Sequence, residues 1–322
     1  MTLRWTTLLD EPTQLTGPAK TVFRQGEEVI ASQPTAARLF ETWEKNHWNP
    51  FEISFERDHA QWQRMPEWLR ARLSTVIRTF VIGEHTGLDL LSPVLAGATT
   101  ESGLRFLATQ VADEARHSAY MLRLVEALWG SMGSESVLLS EAWEGLSPSY
   151  RRLNEIESSL ARDTLQGPGN YDSWIRQVTM FHLVTEGMLA YFGQHSLTDA
   201  LERSRVLPGV KLGFLAMGRD EARHISFGME AIRTAMDEGR RDEVLHTLTE
   251  ILPLAITVDY FPDGTPGASD DDALRTRRAL STLAARRLTQ IGLERPLVES
   301  VMKDVQTQAD RHLGQLRASD RS

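Results

Sequence analysis

The pentapeptide Asp-Glu-Ala-Arg-His occurs twice, at 113–117 and at 220–224, each time inside a long run with helical apolar spacing. Leu107, Val111 and Leu122 flank the first copy; Phe214, Leu215, Ile225 and Phe227 flank the second. Each copy also follows a glutamate set in apolar sequence. Glu84, in Phe-Val-Ile-Gly-Glu-His, stands 30 residues before Glu114, and Glu186, in Phe-His-Leu-Val-Thr-Glu-Gly-Met-Leu-Ala, stands 35 before Glu221. The order Glu, then Glu-x-x-His, is thus written twice. A chain that repeats this order has to bring four carboxylates together among apolar residues. An unpaired buried carboxylate is costly, so the arrangement demands a cation.

The rest of the chain carries the same helical period. Pro66 opens a stretch to about Leu91 that Pro93 and Gly97 are expected to end. Thr100 caps the next stretch, which stops at Gly130. A charged helix is expected over Pro148–Asp163, broken by Gly167-Pro168-Gly169. Tyr171 to about Leu201 and Val210 to Glu238 follow, the second closed by Gly239. Asp259–Asp272 reads as a surface loop, with two more helical stretches beyond it. Alternating runs typical of strands are scarce. The expected fold is all-α: residues 1–322 as one domain, with a bundle core over about 40–238 and C-terminal helices over about 240–315.

Residues three apart on a helix share a face, so Glu114 with His117, and Glu221 with His224, can each point at one ion. With Glu84 and Glu186 they make six ligands for two ions, the pattern of ferritin-like di-metal carboxylate bundles. Four carboxylates balance two divalent ions. The sequence has no cysteine, which excludes disulfides, zinc–thiolate sites and iron–sulfur clusters and leaves oxygen and imidazole ligands that suit iron and manganese. A formal net charge of −9 argues against nucleic acid and anionic membrane as partners. No apolar run is long enough to span a bilayer. Met1–Leu15 has no continuous apolar stretch and does not read as a signal peptide, so a cytoplasmic location is expected.

The sequence resembles the small subunit of class I ribonucleotide reductase and its relatives, the ligand-binding oxidases with a manganese–iron or di-iron site. The resemblance rests on the ligand order and on His47-Trp48-Asn49-Pro50-Phe51-Glu52-Ile53, similar to the family's Trp-x-Pro-x-Glu-Ile segment, and covers about Phe40 to about Glu238. It implies that Glu84, Glu114 and His117 hold one ion and Glu186, Glu221 and His224 the other, with Glu114, and in some states Glu221, bridging. It implies dioxygen activation by Fe/Fe or Mn/Fe. It implies further that Asp220 accepts a hydrogen bond from His117 and that Trp48 completes an electron path; the bland alternative for Trp48 is packing alone. His182, one turn before Glu186, reads as a base or a satisfied core histidine behind the site rather than a seventh ligand.

Departures from the family narrow the activity. The reductase's radical-tyrosine position holds Met121, with Tyr120 one place earlier. The oxidases' cross-linked tyrosine and valine positions hold Phe181 and Gly87. The tail Leu316–Ser322 does not resemble one built to dock on a large catalytic subunit. The expectation is therefore an oxidase or oxygenase that acts on dioxygen and a separate small organic substrate, with acyl compounds as candidates by analogy. The alternatives are a reductase radical subunit and a non-catalytic metal-binding bundle. A homodimer is compatible with this reading. The surroundings of the metals are expected to be apolar. Gly83, Gly87, Gly187 and Gly193 mark either close helix approach or room for a guest.

Overall fold

A computed structural model describes residues 18–130, 133–167, 169–262, 265 and 268–319. The expectations for Met1–Leu15 and for the last three residues of the tail lie outside the described residues. Among those described, every regular element is helical. In chain order they are α1 (Ala19–Ala31), α2 (Ala36–Trp43), a short 3-10 turn (Pro50–Glu52), α3 (Glu56–Arg64), α4 (Glu67–Ala96), α5 (Glu101–Trp129), α6 (Glu135–Glu144) and α7 (Pro148–Gln166). Then come α8 (Tyr171–Val178), a π-helical segment (Thr179–Ala190), α9 (Tyr191–Ser204), α10 (Pro208–Ala235), a short π turn (Met236–Arg240), α11 (Arg241–Ala255), α12 (Asp270–Gln290) and α13 (Arg295–Ser319).

Side-chain caps set several of the helix starts. Thr100 Oγ1 accepts from the Gly103 amide at 3.0 Å, Ser147 Oγ from Tyr150 at 3.2 Å, and Asn170 Oδ1 from both Asp172 and Ser173. α10 lacks a cap of its own. Asp58 of α3 supplies it, accepting from the Gly209 and Val210 amides at 3.0 and 2.8 Å. The acid from another helix thus fixes the start of the helix that carries the second motif. A Cβ at Gly209 would lie 2.5 Å from the Ser54 carbonyl oxygen, so only glycine fits that junction.

Two boundaries differ from the sequence reading. Pro93 does not end α4, which runs on to Ala96. A proline removes one amide and crowds the turn before it, yet the helix continues for three residues past Pro93 before Gly97 ends it. The run from Tyr171 to Leu201 is continuous but changes pitch: its middle, 179–190, is π-helical. Arg287 of α12 holds that segment from outside, donating from Nε to the Gly187 carbonyl at 2.8 Å. α6 and the N-terminal helices α1–α3 were not foreseen.

α4 packs along α5, and α10 packs along both α9 and the π segment. These four strands of helix make the bundle, with α1 laid against α10, α11 and α12 against the π segment, and α13 against α11 and α12. One buried apolar cluster runs from Ala19 to Ala309. No helix among the described residues is long and apolar enough to cross a membrane.

Candidate metal centre

α4 contributes Glu84, α5 contributes Glu114 and His117, the π segment contributes Glu186, and α10 contributes Glu221 and His224. All six are buried. Their ligand atoms converge in two overlapping groups, Glu84–His117–Glu221 and Glu114–Glu186–Glu221–His224, each with all of its atoms within 4.8 Å of one another. Glu221 belongs to both groups, whereas the family pairing would put Glu114 with His117. Glu114 nevertheless faces both histidines, with Oε2 at 3.7 Å from His117 Nδ1 and Oε1 at 3.3 Å from His224 Nδ1. Glu221 does the same, Oε1 at 3.7 Å from His117 Nδ1 and Oε2 at 3.4 Å from His224 Nδ1. Two carboxylates that each present one oxygen to either histidine have the geometry of bridges.

The donor set fits cations. Glu114 Oε1, Glu186 Oε2, Glu221 Oε2 and His224 Nδ1 are buried without a hydrogen-bond partner. Orphaned buried acceptors of this kind cost energy unless something positive satisfies them. The electrostatics say the same. Burial raises Glu84 to about 7 despite His117, and burial holds Glu186 well above the ordinary carboxylate range. Burial also acts to raise Glu114, but the charges of His117 and His224 outweigh it and hold Glu114 down to about 2. For both histidines burial opposes the charged form; it is overcome mainly by Glu114 at His117 and by Glu186 at His224. Without metal, the cluster stores protons that a divalent pair would displace.

Behind the histidines lies a second layer, built crosswise. Asp220, from the second motif, reaches His117 of the first: Oδ2 lies 3.3 Å from Nε2. Asp113, from the first motif, reaches His224 of the second at 3.2 Å. Each aspartate also accepts from an indole, Asp220 from Trp48 Nε1 at 2.7 Å and Asp113 from Trp43 Nε1 at 2.9 Å. Arg223 joins the two, NH2 to Asp113 at 2.6 Å and NH1 to Asp220 at 3.0 Å. Burial acts against the ionised Asp220, but Arg223, His117 and Arg219 hold it well below the usual carboxylate range. A carboxylate behind a ligating imidazole fixes its tautomer and leaves the other nitrogen, here Nδ1, free for metal.

The structure places Trp48 and Asp220 together against His117. It sets His182 apart from the ligand atoms: His182 Nε2 meets Gln110 Oε1 at 3.1 Å, and Gln110 Nε2 donates to Glu186 Oε1 at 2.8 Å. His182 therefore touches Glu186 only through Gln110. Burial lowers His182 to about 3, which keeps it neutral. A Cβ at Gly228 would overlap its ring, so that glycine makes the room. His85 turns outward to Glu135 at 3.4 Å.

Sequence reasoning missed Asp113, Trp43, Gln110 and Arg223. For Asp113 the signal was present, because aspartate precedes glutamate in both motifs. It also missed polar groups beside the site. A cavity of about 610 Å³ is lined by Glu84, Glu114, Glu186 and Glu221 at its inner end. Its walls carry Phe80, Phe181, Leu189 and Phe192, but also Tyr150 and Thr185. The wall is thus not wholly apolar, as had been expected, because α7, outside the four ligand helices, lays Tyr150 over Gly83. Of the helix glycines, Gly193 is set by close approach, since a Cβ there would lie 2.8 Å from Phe80 Cζ. Gly83 and Gly87 face the cavity. Tyr120 points elsewhere, donating to the Gly209 and Val210 carbonyls at 3.3 and 3.0 Å.

Comparison with known proteins agrees with this architecture. Residues 31–295 match the family described as ribonucleotide reductase, small chain. Among solved structures, the chain is similar to a mutant R2-like ligand-binding oxidase with an anaerobically reconstituted Mn/Fe cofactor, with TM-score 0.71, 21% identity, and coverage of 80% of this chain and 94% of that one. It is also similar to an R2-like ligand-binding oxidase from Sulfolobus acidocaldarius, with TM-score 0.66, 20% identity, and coverage of 80% and 90%. At that identity the structural likeness speaks for the shared ferritin-like helical fold. The family match spans most of the sequence, and the chain belongs to the ribonucleotide reductase small chain family.

Proposed function

We propose that the protein is a dioxygen-activating di-metal carboxylate oxidase or oxygenase that oxidises a small, mainly apolar organic guest. The observation that carries this reading is the position of the cavity: its inner wall is four of the six ligand residues. A guest there lies directly against the metals. Glu84, Glu114 and His117 would hold one ion and Glu186, Glu221 and His224 the other, with Glu114 and Glu221 shared. A reduced iron pair, or manganese with iron, bound in this set supplies the electrons for reducing dioxygen.

The chain's own residues do the rest. Asp220 and Asp113 hold the two imidazoles with Nδ1 inward. Gln110 and Gln194 each donate to a ligand carboxylate, the first at Glu186 Oε1 and the second at the shared Glu221 Oε1, 3.3 Å away. Phe80, Phe181, Leu189 and Phe192 exclude water from the guest and select apolar surface. Arg72 and Arg275 line the same cavity beside Asp272, where a polar end of the guest can be held. Acyl compounds have that shape and stand as the first class to screen.

The tyrosyl-radical form of the reductase subunit, which is not its only form, needs an oxidisable phenol beside the metals. Met121 is at that sequence position, and the Tyr120 hydroxyl is occupied by backbone carbonyls. The test is anaerobic loading with iron, or manganese and iron, followed by elemental analysis and exposure to dioxygen. Two ions per chain and accelerated decay of the oxidised metals by an apolar guest are expected. Zinc alone, or less than one ion per chain, would sink the di-metal reading. Glu114→Ala and Glu221→Ala should each disturb both metals, and retention of both ions in both variants would remove the bridging role.

A further inference from the structure

We propose that Trp43 is the surface electron inlet of the centre, delivering reducing equivalents to the His224 side through Asp113. The inference rests on the di-metal reading above. It starts from a symmetry the family pattern does not require. Trp48 Nε1 donates to Asp220, which meets His117; Trp43 Nε1 donates to Asp113, which meets His224. Each half of the site thus has its own indole–carboxylate–imidazole chain. In the second chain the links are 2.9 Å and 3.2 Å long, both through one carboxylate.

The two indoles differ in access. Trp48 is 5% exposed, sealed in the core beside Tyr120. Trp43 sits at the end of α2 and is half-buried, and the exposed His47 ring packs edge-on against it at 4.2 Å. An external carrier can therefore approach Trp43 and not Trp48. The Arg116 guanidinium lies over the Trp48 ring at 5.8 Å and also shares Asp113 Oδ1 with the Trp43 N–H, so access rather than charge separates the two indoles. The Trp43 ring packs against Phe40 and His47. Its N–H points at a carboxylate that Arg116 and Arg223 each grip at 2.6 Å, so the acceptor is fixed in place.

The electron balance is simple. A metal pair made strongly oxidising by its reaction with dioxygen would draw one electron from the Trp43 indole by way of Asp113 and His224. The proton stays on Nε1, where the hydrogen bond to the Asp113 carboxylate offsets the new positive charge. A one-electron carrier at the surface, a reduced flavin or an iron–sulfur protein, then returns the electron to the indole. The net change is one electron from carrier to metals, with no bond made or broken in the protein.

The experiment uses the full chain, loaded with iron, oxidised by dioxygen, and re-reduced with photoreduced flavin mononucleotide. Metal content, the absorbance of the oxidised metals, and the transient absorption of a tryptophanyl cation radical are recorded. Trp43→Phe should keep the wild-type metal content, lose the transient radical, and slow re-reduction by ~10-fold or more, the lower end of what changes behind a metal ligand usually cost. Trp43→Tyr, which keeps a redox-active ring, should recover part of the rate. Trp68→Phe, an exposed indole away from the site, should behave as wild type. Equal rates in wild type and Trp43→Phe at equal metal content would overturn the inlet, as would slowing that tyrosine does not relieve. A wild-type protein that takes up no metal, or whose metals dioxygen does not oxidise, would instead overturn the oxidase reading on which the inlet rests.

Discussion

Asp113 belongs to the first motif yet meets the histidine of the second, its Oδ2 lying 3.2 Å from His224 Nε2, and Asp220 returns the contact to His117 at 3.3 Å. The two repeats therefore support each other's ligands rather than their own. Asp113→Ala should weaken the His224-side metal and Asp220→Ala the His117-side metal, each by roughly 10–100-fold. Competitive chelator titration of both variants checks this. If each variant lost the metal of its own motif, the crosswise pairing would be wrong.

Metal uptake should release protons and strengthen as pH rises. In the metal-free centre burial raises Glu84 to about 7 and holds Glu186 well above its ordinary value, while carboxylate neighbours keep His117 and His224 protonated. All four must deprotonate to bind, so affinity grows as pH climbs through about 7. Calorimetry in buffers of different ionisation heat reads the proton count directly. Uptake with no proton release would contradict this picture.

Glu157 offers a stability test away from the ligands. Its carboxyl is buried, with Thr185 Oγ1 donating to it at 2.9 Å, and burial raises it to about 7 from an ordinary 4.5. The folded state therefore binds a proton that the unfolded state has released between pH 4.5 and about 7. The resulting contribution is fully present below 4.5 and is lost as pH rises through about 7, amounting to roughly 3 kcal/mol. Glu157→Gln should flatten this dependence and be more stable than wild type at pH above about 7. Urea unfolding of both proteins on either side of the window measures it. Parallel stability profiles would show that Glu157 does not titrate there.

Oxidation should leave no long-lived tyrosyl radical and no internal cross-link. Burial raises the phenol of Tyr120, and burial together with Glu157 and Glu84 raises that of Tyr150, so neither readily gives up its proton with an electron. Phe181 and Gly87 cannot form an ether, yet they are neighbours: a Cβ at Gly87 would lie 3.7 Å from Phe181 Cζ. The double variant Phe181→Tyr with Gly87→Val should regain a cross-link, seen as a two-hydrogen loss in intact mass after dioxygen exposure. Wild-type protein showing that loss, or a stable tyrosyl resonance, would redirect the functional reading toward self-modification or the reductase role.

The sequence by itself determined the helical class and the six candidate ligands, because both depend on local spacing. Glu114 and His117 share a face through the rise of one helix, and apolar residues at the same period place that face inward. The cap at Thr100 was equally local, whereas Pro93, expected to end α4, is carried inside it to Ala96. The π pitch of 179–190, held by Arg287 on the Gly187 carbonyl, was invisible to a 3.6-residue period. Behind the ligands the family resemblance reached Asp220 and Trp48; only the tertiary structure brought in Asp113 and Trp43. Trp48 meets Asp220 across 172 residues, Asp113 meets His224 across 111, and Trp43 meets Asp113 across 70. No pattern along the chain encodes such distances; the packing of α2, α5 and α10 sets them. The same packing brought Tyr150 from α7 into the cavity wall and left Tyr120 bonded to backbone, because a side chain's surroundings follow from the helices against it rather than from its place in its own.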